Sequence, residues 1–428
     1  MGIILANSTY LTAELRFDQG DLVINDGGQI ESIQPPHTAT IAGWDYMDCH
    51  DYLLLPGLVN AHFHSHSPLF RGLMRDSKLE EWEGESTQGR LQTHLFHFLD
   101  AEATPEELHL LCLQDYCDLL HTGVTFCADS CTAVRPPLWS VQAMQQVGLR
   151  GIVDAYDEYP ILRSQPLPPG YGLAAHLPEE EDMTEAALAT AQSIRQRYDP
   201  IMMTHALETP WRLQKVLADW GQSSVALLAD RGLLGPKTVL FHGVYMSEAD
   251  IDLVHTHGTS IIHCPISNLS DGAIAPVDVW LRKGVNVALG TDWGRTDLWD
   301  AMRFAYYLLK RQGGIGTGSA EYILQTATQN GVHAFGLAHQ VGMIATGYDA
   351  DLILLPKRAT CFQPWLDVGA FSTQVHNLVM GGNSSLVAHV MICGRWIIQN
   401  GKLLTVDEAA LTAQYQSIVD KLWRRFTV

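Results

Sequence analysis

Basic residues are scarce in this chain: 27 Lys and Arg stand against 47 Asp and Glu, a formal net charge of −20. A nucleic-acid backbone or an anionic membrane surface needs a basic face, so neither is an expected partner. Long apolar runs are missing as well. No stretch approaches the roughly 20 residues needed to span a bilayer. The N-terminal MGIILANSTYLTAEL also lacks the basic region and apolar segment of a secretory signal. These absences predict a cytoplasmic protein that acts on a small molecule. Paired cysteines are absent too. Cys49, Cys112, Cys117, Cys127, Cys131, Cys264, Cys361 and Cys393 form no CxxC, which predicts buried reduced thiols rather than disulfides or a thiolate metal site.

What is present is a large supply of core-forming residues, 46% hydrophobic over 428 positions. Residues 1–56 read as short strands, with a hairpin signal at Asp26-Gly27-Gly28. Eight near-continuously apolar segments then begin at Leu58, Val124, Arg150, Tyr171, Ile201, Thr238, Thr259 and Val285. Each ends in His, Asp, Glu or Asn, and longer helical patterns such as Pro105 to Gly123 lie between them. The alternation predicts an α/β fold, a (β/α)8 TIM barrel whose site lies at the C-terminal ends of its strands. A doubly wound open sheet is the alternative, but no Gly-rich phosphate loop follows the first segment. Strands return late in the chain. Residues 1–56 and 346–428 are therefore expected to form a small composite β-sandwich module, with the barrel at 57–345. Between the third and fourth strands, YPILRSQPLPPG is too short and proline-rich for a crossover helix, so one outer helix should be missing.

The strand ends carry the chemistry. His62 and His64 are two apart, so on a strand both imidazoles point to one side and can converge on one ion. Polar loop histidines would show the same spacing, and the later strand ends decide between the two. The fifth offers His205, with Glu208 three residues on; the sixth offers His242, the seventh His263 and the eighth Asp292. His62, His64, His205 and Asp292 would give three imidazoles and a carboxylate, a set suited to zinc or ferrous iron. A dication makes water nucleophilic at neutral pH. Glu208 is placed to shuttle protons, and His242 to contact the attacking oxygen or polarise the substrate.

The runs PGLVNAHFHSHSPLFRG, THALET, FHGVYMSEADI, HCPISNL with GAIAPV, ALGTD and GYDADLILL together resemble the amidohydrolase superfamily. More narrowly they resemble its cytosine-deaminase-like branch, with triazine hydrolases, chlorohydrolases, guanine deaminase and adenosylhomocysteine deaminases. The resemblance implies His62, His64, His205 and Asp292 as ligands of one divalent metal, Zn2+ or else Fe2+ or Mn2+. It implies Glu208 as proton shuttle, His242 as the oxygen- or substrate-contacting imidazole, and Asp292 as a further proton acceptor. Binuclear relatives bridge two metals through a carboxylated lysine on the fourth strand, but no lysine lies between Lys78 and Lys215 here, so one metal is expected.

The implied activity is hydrolysis of a C–N bond at an amidine-like carbon, deaminating an amino-substituted pyrimidine, purine, pterin or triazine. Opening of a cyclic amide, C–Cl hydrolysis, attack on a small guanidine, and a catalytically silent binding barrel are the alternatives. A homodimer or larger homo-oligomer is expected. Substrate contacts are expected from His176 on strand four, His263, Trp293, Arg295, Asp157, and Glu83, Gln88 and Arg90 in the polar loop after the first strand. Competing readings make Glu83 and Arg90 a solvated charge face, Trp293 and His263 packing residues, and Arg295 a surface ion-pair partner. His66, third in the His-x-His-x-His run, is expected past the strand end and behind the ligands.

Overall fold

The computed structural model describes residues 2–73, 76–82, 84–132, 138–369 and 371–424. Eight parallel strands form its centre: Leu58–Phe63, Val124–Asp129, Arg150–Asp154, Tyr171–His176, Met202–Ala206, Thr238–His242, Ser260–His263 and Val287–Leu289. Each pairs parallel with the next, and a parallel bridge between Phe63 and Asp292 joins the last to the first. The sheet thus closes into a TIM barrel. The Asp292 N–H donates to the His62 carbonyl at 3.0 Å across this seam. Gly290 permits the closure, because any Cβ there would meet the His62 Cβ at 2.6 Å.

Alternate residues fill the barrel interior, among them Val59, Ala61, Phe126, Ala128, Met203, Val239, Phe241, Ile262 and Ala288. Val332 and Phe335, on and just after the helix Gln329–Ala334, pack into the same cluster. The outward-facing set, including Leu58, Phe63 and Val124, packs into the layer of surrounding helices. In the first strand the pairing register shifts between Asn60 and Phe63. This bulge changes which parity faces inward. Val59 and Ala61 line the core, Phe63 turns outward, and His62 stacks on Phe241 at 3.8 Å.

The helix expected from Pro105 forms over Pro105–His121. Its capping box is reciprocal, with Thr104 accepting from the Glu107 N–H and Glu107 from the Thr104 N–H. Between the third and fourth barrel strands stand only the short turns Tyr156–Glu158 and Tyr159–Leu162, so a full outer helix is absent there. The polar stretch after the first strand departs from the expected loop. Ser86 caps a helix over Thr87–His97 by accepting from the Gly89 N–H.

Strands from both chain ends are hydrogen-bonded into one nine-stranded sheet, with Leu352–Pro356 lying antiparallel to Tyr52–Pro56. The helix Glu408–Trp423 packs instead against Pro105–His121, through Ile418 and Leu422 on Leu108 and Leu111. The eight cysteines are unpaired and six of them are buried. Among the described residues no helix is long and apolar enough to cross a membrane.

Candidate metal centre and catalytic cleft

Four strand ends bring the sequence-predicted residues together. Among the described residues, His62, His64 and His205 form one set of close metal-binding side chains and His62, His242, Cys264 and Asp292 another, with ligand atoms within 4.8 Å of one another in each set. The Asp292 Oδ1 lies 3.2 Å from His62 Nε2 and 3.4 Å from His64 Nε2, and the Nε2 atoms of His64 and His205 are 3.2 Å apart. His242 and Asp292 sit at left-handed φ values of 68° and 62°, which costs backbone energy and turns both side chains inward.

The outer nitrogens fix the tautomers. His205 donates through Nδ1 to Glu179 Oε1 at 2.5 Å, and His64 through Nδ1 to the Cys131 carbonyl at 3.3 Å. With Nδ1 donating on each ring, Nε2 is the atom left to ligate, and the two Nε2 atoms face each other at a separation that suits a shared cation. Ligand atoms about 2.0–2.1 Å from a tetrahedral zinc lie about 3.3–3.4 Å apart, close to the separations seen. Buried charge points the same way. Glu179, Glu208 and Asp292 converge on this centre with Arg212 as the cation that pairs with the two glutamates. The donor set and the surplus negative charge fit one divalent cation.

Burial holds His62 well below its usual pKa, so its ring is neutral as a ligand must be. Burial also opposes charge on Asp292, but the imidazoles of His62 and His64 outweigh it and keep the carboxyl well below the usual range. Beside this centre, Glu208 Oε1 faces His242 Nε2 at 3.4 Å, and Glu208 Oε2 accepts from Arg212 at 2.9 Å. His242 is held from behind by Asn268, whose Oδ1 accepts from Nδ1 at 2.9 Å.

A cavity of about 900 Å³ opens over these groups, lined by His64, His205, Glu208 and Asp292 and walled by Phe70, Trp82, Phe96 and Trp293. Trp293 lies edge-on to His64 at 5.4 Å and packs on Trp82 and Phe70. Arg295 lines the rim with its side chain exposed. His176 does not itself line the cavity; it pairs with Asp154 at 2.8 Å and stacks on Tyr156, which does. Other expected contacts do not reach the cavity. Gln88 donates to the Leu73 carbonyl, and Arg90 turns to solvent beside Glu85 because both ride the unforeseen helix. His263 is fully buried within the barrel, neither ring nitrogen has a hydrogen-bond partner, and burial drives its pKa down to about 3. His66 points away, toward Cys112 and the Leu108 carbonyl. Glu83 lies outside the described residues, as does the side chain of Asp157.

Sequence reading missed Glu179, Arg212, Asn268 and Asp271. Arg212 carried a usable signal, lying four residues after Glu208 behind a Thr209-Pro210 helix start. Asp271 lines the cavity, and burial together with the charges of Glu208 and Asp292 raises its carboxyl to about 7.

Known proteins are similar to this chain along nearly its whole length. The chain is 29% identical to a 5-methylthioadenosine/S-adenosylhomocysteine deaminase of Syntrophobacter fumaroxidans, covering 96% of this chain and 97% of that one. It is 27% identical to a 5'-deoxyadenosine deaminase of Methanosarcina mazei, covering 99% of each. Among solved structures, an adenosine deaminase from Xanthomonas campestris with bound zinc superposes with a TM-score of 0.87 at 24% identity, over 98% of both chains. An atrazine chlorohydrolase from Arthrobacter aurescens complexed with zinc gives 0.85 at 19% identity, over 97% of this chain and 100% of that one. The amidohydrolase family profile matches residues 53–397, a span that takes in the whole barrel and every strand end described above, and the chain belongs to that family.

Proposed function

We propose that this protein is a mononuclear metal-dependent aminohydrolase that deaminates an aminopurine nucleoside, replacing the exocyclic amino group with oxygen and releasing ammonia. The observation that carries the reading is the convergence of His62, His64, His205 and Asp292 beside Glu208 and His242. The deaminase relatives supply the substrate class. Two solved neighbours that hold zinc support zinc as the ion in this reading.

In this reading His62, His64, His205 and Asp292 hold the ion. When bound it supplies the Lewis acidity that makes water a nucleophile at neutral pH. Glu208 takes a proton from the attacking water and passes it to the ring nitrogen next to the amidine carbon. As the C–N bond breaks, Glu208 and Asp292 handle the second proton so that nitrogen leaves as ammonia. His242, anchored by Asn268, orients the attacking oxygen. Trp293 and its aromatic neighbours offer faces on which a heterocycle stacks. Arg295 is assigned to the remainder of the substrate, with His176 acting through the Tyr156 ring on which it stacks.

The test is ammonia release from zinc-loaded protein across adenosine, 5'-deoxyadenosine, 5-methylthioadenosine, guanine, cytosine and a triazine. The expected result is turnover of at least one adenine nucleoside well above the other heterocycles. Turnover of the triazine or cytosine alone would move the substrate class, and no ammonia from any of them would refute the reading.

A further inference from the structure

Arg212 sits three residues into the helix Pro210–Trp220 with a side chain only 8% exposed. One guanidinium nitrogen donates to Glu208 Oε2 at 2.9 Å; the other donates to Glu179 Oε2 and to Glu181 Oε1, both at 2.6 Å. Glu179 uses its second oxygen to accept from His205, and Glu208 turns its second oxygen to His242. A continuous path therefore runs from His205 through Glu179, Arg212 and Glu208 to His242.

We infer that Arg212 is a positioning residue that sets the orientation of the His205 ligand and the position of the Glu208 carboxylate through one rigid group. The inference rests on the proposed role of Glu208 in proton transfer. Its consequence for metal affinity does not. With Oε2 pinned by Arg212, Oε1 is the oxygen of Glu208 that exchanges protons with water and substrate. Lysine cannot replace this function, because an ammonium is a point charge, whereas the planar guanidinium presents separate nitrogens in fixed directions. Removal of Arg212 also leaves Glu179 free to rotate, which loosens the His205 ring; losing such an outer partner costs about 10–100-fold in metal affinity. An ion cluster that only stabilised the fold would change neither quantity selectively.

Two measurements decide it on the full-length protein. Zinc affinity is measured by chelator competition for wild type, Arg212→Gln, Glu179→Gln, the double variant and Glu181→Gln. The expected result is a loss of about 10–100-fold for Arg212→Gln, no further loss when it is added to Glu179→Gln, and a change below about threefold for Glu181→Gln. Equal zinc affinity for wild type and Arg212→Gln, or losses that simply add in the double variant, would overturn the proposal. Should Arg212→Gln fail to fold, Arg212→Lys carries both tests. For turnover, Arg212→Lys is expected to lower kcat by about 10-fold or more while KM stays within about threefold, as removal of a transition-state interaction requires. An unchanged kcat, or a loss confined to KM, would contradict it. If the wild type deaminates no adenine nucleoside, the functional reading falls while the zinc comparison still judges the role of Arg212.

Discussion

Two buried arginines mark opposite ends of the barrel, and their surroundings differ in a way that separates scaffold from site. Arg150 opens the third strand and bonds Asp349 at 2.8 Å and Asp351 at 3.2 Å, joining the start of the barrel strands to the strand Leu352–Pro356 of the terminal sheet. Asp351 is satisfied further by the Cys393 N–H at 2.8 Å. One cation meets two anions there, and none of the three lines the catalytic cavity. Arg212, beyond the end of the fifth strand, meets three glutamates instead. Two of these reach onward to His205 and His242, and the His242 Nε2 has no hydrogen-bond partner of its own. Similar ion chemistry thus serves a seam at one end and leaves valence open at the other, as expected where barrel sites lie at strand C-termini.

The sharpest break between the two ends comes from Glu208→Gln. It keeps the shape and removes the ionisable group, so kcat should fall by about 10³-fold, with bound metal and Tm near wild type. Metal analysis and steady-state kinetics on one preparation check this; substantial remaining activity would mean that another group moves the proton. Next in size is Arg150→Met at the seam. Breaking a buried ion cluster by removing one partner costs about 3 kcal/mol of stability, readable in denaturant unfolding, while kcat and metal stoichiometry should stay at wild-type values. A drop in kcat without a loss of stability would erase the contrast between the ends.

A smaller effect concerns Asp271. Its folded pKa of about 7 lies above its ordinary value of 3.8. The folded protein therefore keeps a proton that the unfolded chain releases, so this group costs stability as pH rises through that window and by a constant amount above it. In chelator-stripped protein, the Tm advantage of Asp271→Asn over wild type should grow from pH 4 to pH 7 and then level. A difference that stays flat over the same range would show that Asp271 is ionised throughout.

Much of this architecture was legible in the sequence because parallel barrel strands are buried on both faces and stand out as apolar runs with polar ends. The six residues proposed for the centre lie at four of those ends or within three residues of one, so strand-end position together with the family resemblance singled them out. What was lost depended on contacts across sequence. Glu179-Glu180-Glu181 looks like a solvated acidic run, yet Glu179 and Glu181 meet Arg212 more than thirty residues later, and Glu180 accepts from Ser224 and the Leu207 N–H. The helix Thr87–His97 was hidden by its polar composition, and with it the outward direction of Arg90. Strict alternation along the first strand would also have placed His62 and Ala61 on opposite sides. The bulge near Asn60 brings both inward, which no period-2 pattern anticipates.

In the proposed centre, three imidazoles and one carboxylate hold a single catalytic ion. Titrating chelator-stripped protein with zinc by calorimetry tests it directly. One tight equivalent per chain for wild type, abolished in His62→Ala, is the predicted result; two tight equivalents, or unchanged binding in His62→Ala, would contradict it.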